Sequence, residues 1–299
     1  MSDPPTDNWG RWGDDDEAGA RNLLSPDVVL AALGSCRTGR LYALGSPIQR
    51  HGIPKVAYRP DPMRLTLLNQ TDEKALEAFG ATGGIGAVED VVAFGSHTVT
   101  HIDALSHIYA DGRIYNGFSI DETTALDGAG RCGIEKSGPM ATRGVLADVA
   151  KAKGVACLDP GYVVTGGDLE AALDGVEPRA GDAVLVRTGW FEAFLAAERS
   201  GEELAPEQPG LGLEAAQLLA DADVAIVGAD NTAVEAMPFD NGDFCTVHIE
   251  LLVRRGIYMI EHLRLDELSR DGCREFLFAV SPLPVVGATA SPVNPFAIG

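Results

Sequence analysis

The sequence lacks a surplus of basic residues. It holds 23 Lys and Arg against 44 Asp and Glu, so its formal net charge is −21. Proteins that bind nucleic acid or anionic membrane surfaces neutralise phosphate groups with Lys and Arg. The composition therefore argues against a nucleic-acid or membrane partner and favours a small-molecule substrate.

Long apolar runs are also missing. No run approaches the roughly 18 to 20 apolar residues that span a bilayer. The first residues, MSDPPTDNWG, have neither the basic region nor the apolar region of a secretory signal. We therefore predict a soluble, cytoplasmic protein.

Cysteine is scarce and scattered. The five cysteines are an odd number and form no Cys-x2-Cys pair, and a chain of 299 residues is too large to need disulfide bonds for its core. They are predicted to be small buried apolar residues rather than disulfides or thiolate zinc ligands: Cys36, Cys132, Cys157, Cys245 and Cys273.

Short strands alternate with short helices along the chain, with no internal repeat. This order predicts a mixed α/β protein, and no composition break divides the chain in two. The segment 202–210, EELAPEQPG, combines proline with charge and is the best candidate for a lid, with a solvated loop as its default interpretation. The main strands are predicted at 145–149, 183–187, 224–227, 257–260 and 275–280, and the main helices at 168–173, 191–199, 214–220 and 247–254.

Histidine is rare but concentrated. Three of the six histidines lie within the eleven residues from His97 to His107. The segment is rich in β-branched residues, which favour an extended backbone, and side chains alternate along an extended chain. His97, His101 and Asp103 are then expected to share one face.

Spacing limits what this face can bind. At a rise of about 3.3 Å per residue, His101 and Asp103 are about 6.6 Å apart at Cα, so both can reach one ion. His97 is about 13 Å from His101 in a straight strand, so it shares that ion only if the chain bends. Imidazole with carboxylate suits zinc, and also manganese or iron.

A second polar pair interrupts apolar sequence further along. His248 lies in a predicted helix that stops at Gly256, and Glu261 ends the following buried strand. Burying a carboxylate is costly unless it is paired or bound to metal. A salt bridge from Glu261 to Arg254 or Arg264 remains an alternative to metal binding, as does a helix-surface position for His248.

The segment 97–107 resembles the His-x-Gly-Thr-His-x-Asp-x3-His signature of the cyclase-like metal-dependent hydrolases. That family includes bacterial kynurenine formamidase, isatin hydrolase and trans-dienelactone hydrolase. The matching positions are His97, Thr100, His101, Asp103 and His107. The segments 9–24, 186–190, 227–230, 282–284 and 287–292 are similar to other landmarks of the family, so the resemblance covers nearly the whole chain.

The resemblance implies one domain over residues 1–299, with 1–24 as an N-terminal extension packed on it. The implied fold is α/β, with a mixed, barrel-like β-sheet and flanking helices, of the swivelling β/β/α type found in kynurenine formamidase. Homodimers or homotetramers are expected. The implied metal is one or two divalent ions, Zn²⁺ in the first place and Mn²⁺ in the second, held by His97, His101, Asp103, His248 and Glu261.

The implied activity is hydrolysis of an amide, lactam, lactone or N-formyl bond in a small cyclic or aromatic substrate by a metal-activated water. His107 is expected to shuttle the proton, because imidazole titrates near neutral pH. Trp190 is expected to form a wall of the substrate pocket, with core packing as the alternative. Two other functions stay open: a metal-dependent cyclase or lyase of secondary metabolism, and a non-catalytic protein that binds metal or a small molecule.

The chain departs from the family pattern at two positions. Val99 replaces the glycine of the signature, and Ala290 stands where the C-terminal landmark has glycine. A side chain removes easy access to positive φ and close backbone approach. Metal geometry or pocket shape is therefore expected to differ from that of other family members.

Overall fold

The chain is built around one large mixed β-sheet with helices packed on it, which confirms the predicted fold class. The computed structural model describes residues 7–299. Nine strands form the main sheet, in the order β1-β15-β13-β7-β9-β11-β12-β4-β14, curled into a half-barrel. The strands are β1 (Leu41–Ala43), β2 (Met63–Leu68), β3 (Glu89–Ala93), β4 (His101–Asp103), β5 (Thr123–Thr124), β6 (Gly128–Ala129), β7 (Met140–Asp148), β8 (Val163–Val164), β9 (Ala183–Arg187), β10 (Gly210–Leu211), β11 (Ile226–Ala229), β12 (Tyr258–Glu261), β13 (Glu275–Val280), β14 (Ala290–Pro292) and β15 (Phe296–Ile298).

The helices are short and mostly follow the strands that they cover. They are α1 (Pro26–Ala32), α2 (Glu73–Glu77), α3 (Val149–Ala152), α4 (Gly166–Leu173), α5 (Trp190–Ser200), α6 (Leu213–Asp221), α7 (Thr246–His248), which continues as a π-helix (Ile249–Arg255), and α8 (Asp266–Asp271). Short 3₁₀ helices lie at Gly19–Leu23, Leu33–Ser35, Tyr115–Gly117, Ile120–Glu122, Ile134–Lys136 and Asp240–Gly242. In the part of the chain described, no helix is both long and apolar enough to cross a membrane.

The centre of the sheet is parallel and its flanks are antiparallel. Strands β7, β9, β11 and β12 run parallel to one another, and β4 pairs antiparallel with β12 and β14. Carboxyl ends of parallel strands meet at one edge, where α/β proteins place their ligand sites. Because β4 is antiparallel, its first residue lies at that same edge.

Burial on both faces explains why the central segments of the sheet form strands. Residues 183–186 and 224–227 are wholly buried and apolar, as expected for parallel strands covered on both faces. The predicted strands at 183–187 and 275–280 have the observed bounds, whereas the strand predicted at 145–149 starts earlier, at Met140. The prediction for 224–227 is shifted, because the strand spans Ile226–Ala229.

The hairpin formed by β2 and β3 stands apart from this core. Apolar side chains are exposed on it, among them Leu65, Leu67 and Val92. A two-stranded hairpin is marginally stable on its own in water.

The expected homodimer or homotetramer stays a prediction, since the structure contains one chain.

The residues before α1 lie against the π-helix. The backbone N–H of Asn8 donates to the carbonyl of Arg254 at 2.8 Å, and the indole of Trp9 donates to that of Val253 at 2.7 Å. In the acidic run at 14–17, only the first two residues are exposed. Asp16 instead accepts hydrogen bonds from the backbone N–H of Gly19 and the hydroxyl of Tyr115, both at 3.0 Å.

Candidate metal centre

Strand pairing brings the two distant polar segments together. In the register of β4 and β12, His101 lies directly opposite Glu261, and their Nε2 and Oε2 atoms are 3.1 Å apart. Asp103 is two residues along the same strand, so its side chain lies on the same face. Its Oδ1 is 3.6 Å from the Nε2 of His101. All three side chains are buried.

The chain bends sharply before β4. An extended backbone from His97 to Asp103 was expected, and a side chain at position 99 was expected to hinder a positive φ. The first expectation is wrong, because the strand covers only His101–Asp103. The side chain at position 99 does disfavour a positive φ, but it does not prevent one, since Val99 has a φ of 55°. The conformation is held by burial of the valine side chain and by two hydrogen bonds to its carbonyl oxygen, from Nδ1 of His101 at 2.6 Å and of His262 at 3.0 Å.

The bend carries two more histidines to the carboxylate of Asp103. The Nε2 of His97 lies 3.5 Å from Oδ1 of Asp103. The Nδ1 of His107 lies 3.0 Å from the Nε2 of His97, and the two ring centroids are 4.1 Å apart. The sequence predicted that His97 can reach the ion only if the chain bends. The chain does bend, and His97 lies at the site.

His248 reaches the same place from helix α7. Its Nε2 is 3.5 Å from Oε1 of Glu261 and 3.9 Å from Oδ2 of Asp103. The helix begins after Cys245, which has a φ of 55°, and ends at Gly256, whose φ of 65° terminates the π-helix. A side chain at Gly256 would collide with the ring of Tyr115, so glycine is required there.

We call the six residues His97, His101, Asp103, His107, His248 and Glu261 the histidine–carboxylate cluster. Sequence reasoning named all six, and the structure brings them together. The alternative of a salt bridge for Glu261 is not realised, because Arg254 pairs with Glu250 and Arg264 with Asp266. His248 is buried rather than on the helix surface.

Several buried polar atoms of the cluster are unsatisfied. Among the described residues, Nε2 of His101, both carboxylate oxygens of Asp103 and Oε2 of Glu261 have no hydrogen-bond partner, because the 3.1 Å contact between Nε2 of His101 and Oε2 of Glu261 does not have the geometry of a hydrogen bond. Such atoms are costly to bury unless something binds them. Imidazole nitrogens and carboxylate oxygens are the ligands that divalent zinc or manganese takes in proteins, so the cluster fits a metal ion.

Two of the groups of potential ligand atoms overlap at Asp103. The atoms of Asp103, His248 and Glu261 lie within 4.8 Å of one another, and so do those of His97, Asp103 and His107; His101 forms a further group of this kind with Glu261 and His262, and Glu235, Cys245 and His248 form another. Asp103 belongs to the first two groups. The geometry therefore accommodates one ion or two that share this carboxylate.

Burial and neighbouring carboxylates shift the pKa values of the cluster. Burial raises the pKa of Asp103 and lowers the pKa of His107 below the usual imidazole value. Burial lowers the pKa of His248, but its hydrogen bonds to the carboxylates of Glu235 and Glu261 outweigh this and raise the pKa to about 10. The surroundings of His248 therefore favour a positive charge at its position.

Two polar residues beside the cluster have structural contacts of their own. His262 donates from Nδ1 to the carbonyl oxygen of Val99, and its Nε2 lies 3.0 Å from Oγ1 of Thr232, so both ring nitrogens are occupied. Asp230 accepts hydrogen bonds from the backbone N–H groups of Thr188 and Gly189 and so holds the turn before α5.

Trp190 lies at the start of α5, next to His262. The two ring centroids are 6.2 Å apart, and Trp190 stacks on Phe194 at 5.5 Å. Both aromatic rings line a cavity of about 440 Å³ that also contacts Thr232 and part of the segment 202–210. In the described chain, the indole N–H of Trp190 has no hydrogen-bond partner although it is buried. Trp190 therefore borders a cavity and is connected to the cluster through His262, while its place in a substrate pocket stays a prediction.

Ala290 causes no visible disturbance at the position of the family glycine. It lies buried in β14, directly opposite Asp103 of β4. It is absent from the residues with positive φ in the described chain, so a side chain is compatible with its backbone.

Sequence reasoning missed Glu235. This buried carboxylate accepts hydrogen bonds from Nδ1 of His248 and from the backbone N–H groups of Val247 and His248. A single acidic residue in the apolar stretch Ala-Val-Glu-Ala-Met was the available signal, because an isolated carboxylate among apolar residues needs a buried partner.

Comparison with known proteins identifies the family of the chain. A family model described as "Putative cyclase" matches residues 42–236, well over half of the chain. The chain belongs to this cyclase family. No protein of curated function matches the chain in sequence.

Solved structures share the fold. A structure described as a novel cyclase is 31% identical with a TM-score of 0.86, over 98% of this chain and 99% of the other. A "predicted metal-dependent hydrolase" from Bacillus stearothermophilus is 22% identical with a TM-score of 0.52, over 86% and 97% of the two chains. Isatin hydrolase A from Ralstonia solanacearum is 20% identical with a TM-score of 0.59, over 86% and 91%.

Proposed function

We propose that the protein is a divalent-metal-dependent hydrolase that opens an amide, lactam, lactone or N-formyl bond of a small cyclic or aromatic substrate. The observation that carries the proposal is the set of unsatisfied buried atoms of His101, Asp103 and Glu261, with no hydrogen-bond partner among the described residues. Nitrogen and oxygen ligands at this spacing bind a divalent cation. The names of the hydrolases that share the fold support the same activity.

Each residue of the cluster has a defined part in this proposal. His97, His101, Asp103, His248 and Glu261 hold the metal, with Zn²⁺ proposed first because it is readily bound by imidazole and carboxylate groups together, and Mn²⁺ second. When bound, such an ion lowers the pKa of a coordinated water and polarises a substrate carbonyl.

His107 is proposed to move the proton. Its ring lies beside that of His97 and is only partly buried, at the edge of the cluster. It accepts a proton from the attacking water as the new bond to the carbonyl carbon forms. It returns that proton to the leaving nitrogen or oxygen as the old bond breaks, so the net reaction consumes one water.

The pocket is proposed to extend from the cluster along Trp190. The stacked rings of Trp190 and Phe194 offer an apolar wall, and the unsatisfied indole N–H of Trp190 offers one donor to a polar group of the substrate. A flat, ring-bearing substrate with an acceptor atom matches these features.

Two measurements test the proposal. Elemental analysis of protein purified without added metal is expected to find a divalent ion in stoichiometric amount. The metal-loaded protein is then incubated with a lactam such as isatin, an aryl formamide and an aromatic lactone, and a product heavier by one water is expected from at least one. A protein that binds no divalent metal, or that leaves all three bond classes intact, would overturn the proposal.

The family description favours a second candidate, a cyclase or lyase that uses the same metal site. The two activities differ in what happens to mass: hydrolysis adds water, whereas ring closure by dehydration removes it. Mass spectrometry of the products therefore separates them. A non-catalytic protein that binds metal or a small molecule stays an alternative. Val99 gives no reason to prefer it, because the chain bends at this residue despite its side chain.

A further inference from the structure

We propose that Glu235 is a positioning residue that orients His248 for metal binding, an inference that rests on the proposed metal site. Glu235 touches the ring nitrogen of His248 that faces away from the cluster. Its role is to fix which nitrogen carries the hydrogen and which way the ring points.

The carboxylate of Glu235 makes its hydrogen bonds to His248 and to the residue before it. Its Oε1 accepts from Nδ1 of His248 and from the backbone N–H of the same residue at 3.4 Å, and its Oε2 accepts from the backbone N–H of Val247 at 3.3 Å. The side chain of Glu235 is 1% exposed, so these hydrogen bonds form away from water. One carboxylate thus holds both the ring and the first turn of α7.

The direction of the hydrogen bond between Glu235 and His248 determines which ring nitrogen of His248 can bind a metal. A carboxylate can only accept, so Nδ1 of His248 carries the hydrogen. The lone pair of the neutral ring is then on Nε2, which lies 3.5 Å from Oε1 of Glu261 and 3.9 Å from Oδ2 of Asp103. Histidines that bind metal commonly donate their other N–H to a carboxylate, which fixes the tautomer and makes the ligand more basic.

The loop that carries Glu235 is itself fixed. The side-chain amide of Asn231 donates to the backbone carbonyl of Glu235 at 2.9 Å and to that of Pro209 at 2.8 Å. Gly210 packs against the backbone of Glu235 so closely that a Cβ there would lie 2.3 Å from its carbonyl carbon. The carboxylate therefore meets His248 from a rigid position, as orientation of a metal ligand requires.

A merely structural role is the competing explanation, because Glu235 also binds the backbone at the start of α7. Both roles predict a loss of stability when Glu235 is removed. Only positioning predicts that the affinity and the coordination geometry of the metal change in a variant that remains folded. The test therefore reads metal binding directly.

The chain supplies a matched control in Glu250. It is equally buried, at 2% exposure, and lies on the π-helix that continues α7. Its carboxylate pairs with Arg254 at 3.1 Å and Arg255 at 3.0 Å rather than with the cluster. Glu250→Gln removes a buried carboxylate close to His248 in sequence without touching its ring.

The experiment measures the Zn²⁺ dissociation constant by competition with a chromophoric chelator for the wild type, Glu235→Ala, Glu235→Gln and Glu250→Gln. Far-UV circular dichroism of the metal-free proteins verifies folding. Glu235→Ala is expected to weaken Zn²⁺ binding about 10- to 100-fold. Glu235→Gln is expected to weaken it less, because its amide oxygen still accepts from the ring, and Glu250→Gln is expected to bind as the wild type does.

The absorption spectrum of Co²⁺-loaded protein provides the second readout. Its visible bands are expected to change in Glu235→Gln and to stay as in the wild type in Glu250→Gln. If Glu235→Ala does not fold, the Zn²⁺ affinity and the Co²⁺ spectrum of Glu235→Gln test the positioning role. Zn²⁺ binding and Co²⁺ spectra that are the same in Glu235→Gln and the wild type would overturn the positioning role alone, whereas a wild type without metal affinity would overturn the metal site and this inference with it.

Discussion

The Nδ1 atom of His101 donates a hydrogen bond to the carbonyl oxygen of Val99, 2.6 Å away. The contact spans only two residues and depends on the φ of 55° at Val99. It leaves Nε2 of His101 facing the carboxylates of Asp103 and Glu261. A strained backbone conformation therefore orients a histidine of the cluster, which is where strain is commonly found in proteins.

This strain predicts an unusual order of stability for substitutions at Val99. At ordinary φ, glycine makes a protein about 0.5–1 kcal/mol less stable than alanine does. The left-handed conformation costs a residue with a Cβ roughly 1–2 kcal/mol, which glycine avoids. We therefore expect Val99→Gly to be at least as stable as Val99→Ala. The free energy of unfolding in urea, measured on both variants without metal, checks this order.

Val145 is the control for that comparison. It is a fully buried valine inside β7 and is not among the described residues with positive φ. Val145→Gly is expected to be clearly less stable than Val145→Ala. If Val99 gives the same order as Val145, the backbone at Val99 is not strained.

Much of the fold could be predicted from local pattern. The continuous apolar runs of β9 and β11 and the glycine stop at Gly256 follow from burial and backbone sterics. The strand β4 could not be delimited, because only three residues of the β-branched segment pair with neighbours and those neighbours, β12 and β14, lie more than 150 residues away.

The candidate site was predictable where residue chemistry alone marks it. Asp103 and Glu261 stand out as carboxylates among apolar residues. Histidine is rare in this chain, and three of its six histidines lie together at 97–107. Glu235 was not found from the sequence because its proposed role depends on a tertiary contact with His248. The bend at Val99 was not found because a valine with positive φ is disfavoured locally and is stabilised only by the folded surroundings.

Loss of the His101 ring is expected to empty the metal site. The Nε2 of His101 lies between two carboxylates and, among described residues, has no hydrogen-bond partner. His101→Ala is therefore expected to reduce the bound metal, measured by elemental analysis, to a small fraction of one equivalent. His51→Ala, which removes an exposed histidine, is expected to keep the wild-type content. Full metal content in His101→Ala would contradict the proposed ligand set.

Truncation of Trp190 is expected to weaken substrate binding more than it affects metal content. Its ring lines the cavity, stacks on Phe194 and reaches the cluster only through His262. Trp190→Phe keeps an apolar wall and removes the N–H group. We expect a raised KM with metal content unchanged in Trp190→Phe, and a larger rise in Trp190→Ala. Equal KM values in Trp190→Phe and the wild type would show that the indole N–H does not bind substrate.

His107 is the residue whose two possible roles can be separated most directly. Its Nδ1 is 3.0 Å from Nε2 of His97, and one of its ring nitrogens is close enough to ligand atoms of His97 and Asp103 for a shared metal ion. Of the four groups of potential ligands among the described residues, His107 belongs only to the one with His97 and Asp103. If it shuttles the proton, His107→Gln is expected to lower kcat about 10²- to 10⁴-fold while metal content and metal affinity stay close to those of the wild type. If it is instead a ligand, metal affinity falls together with kcat. Parallel measurement of kcat and of the metal dissociation constant distinguishes these outcomes, and a His107→Gln variant with wild-type kcat would exclude both roles.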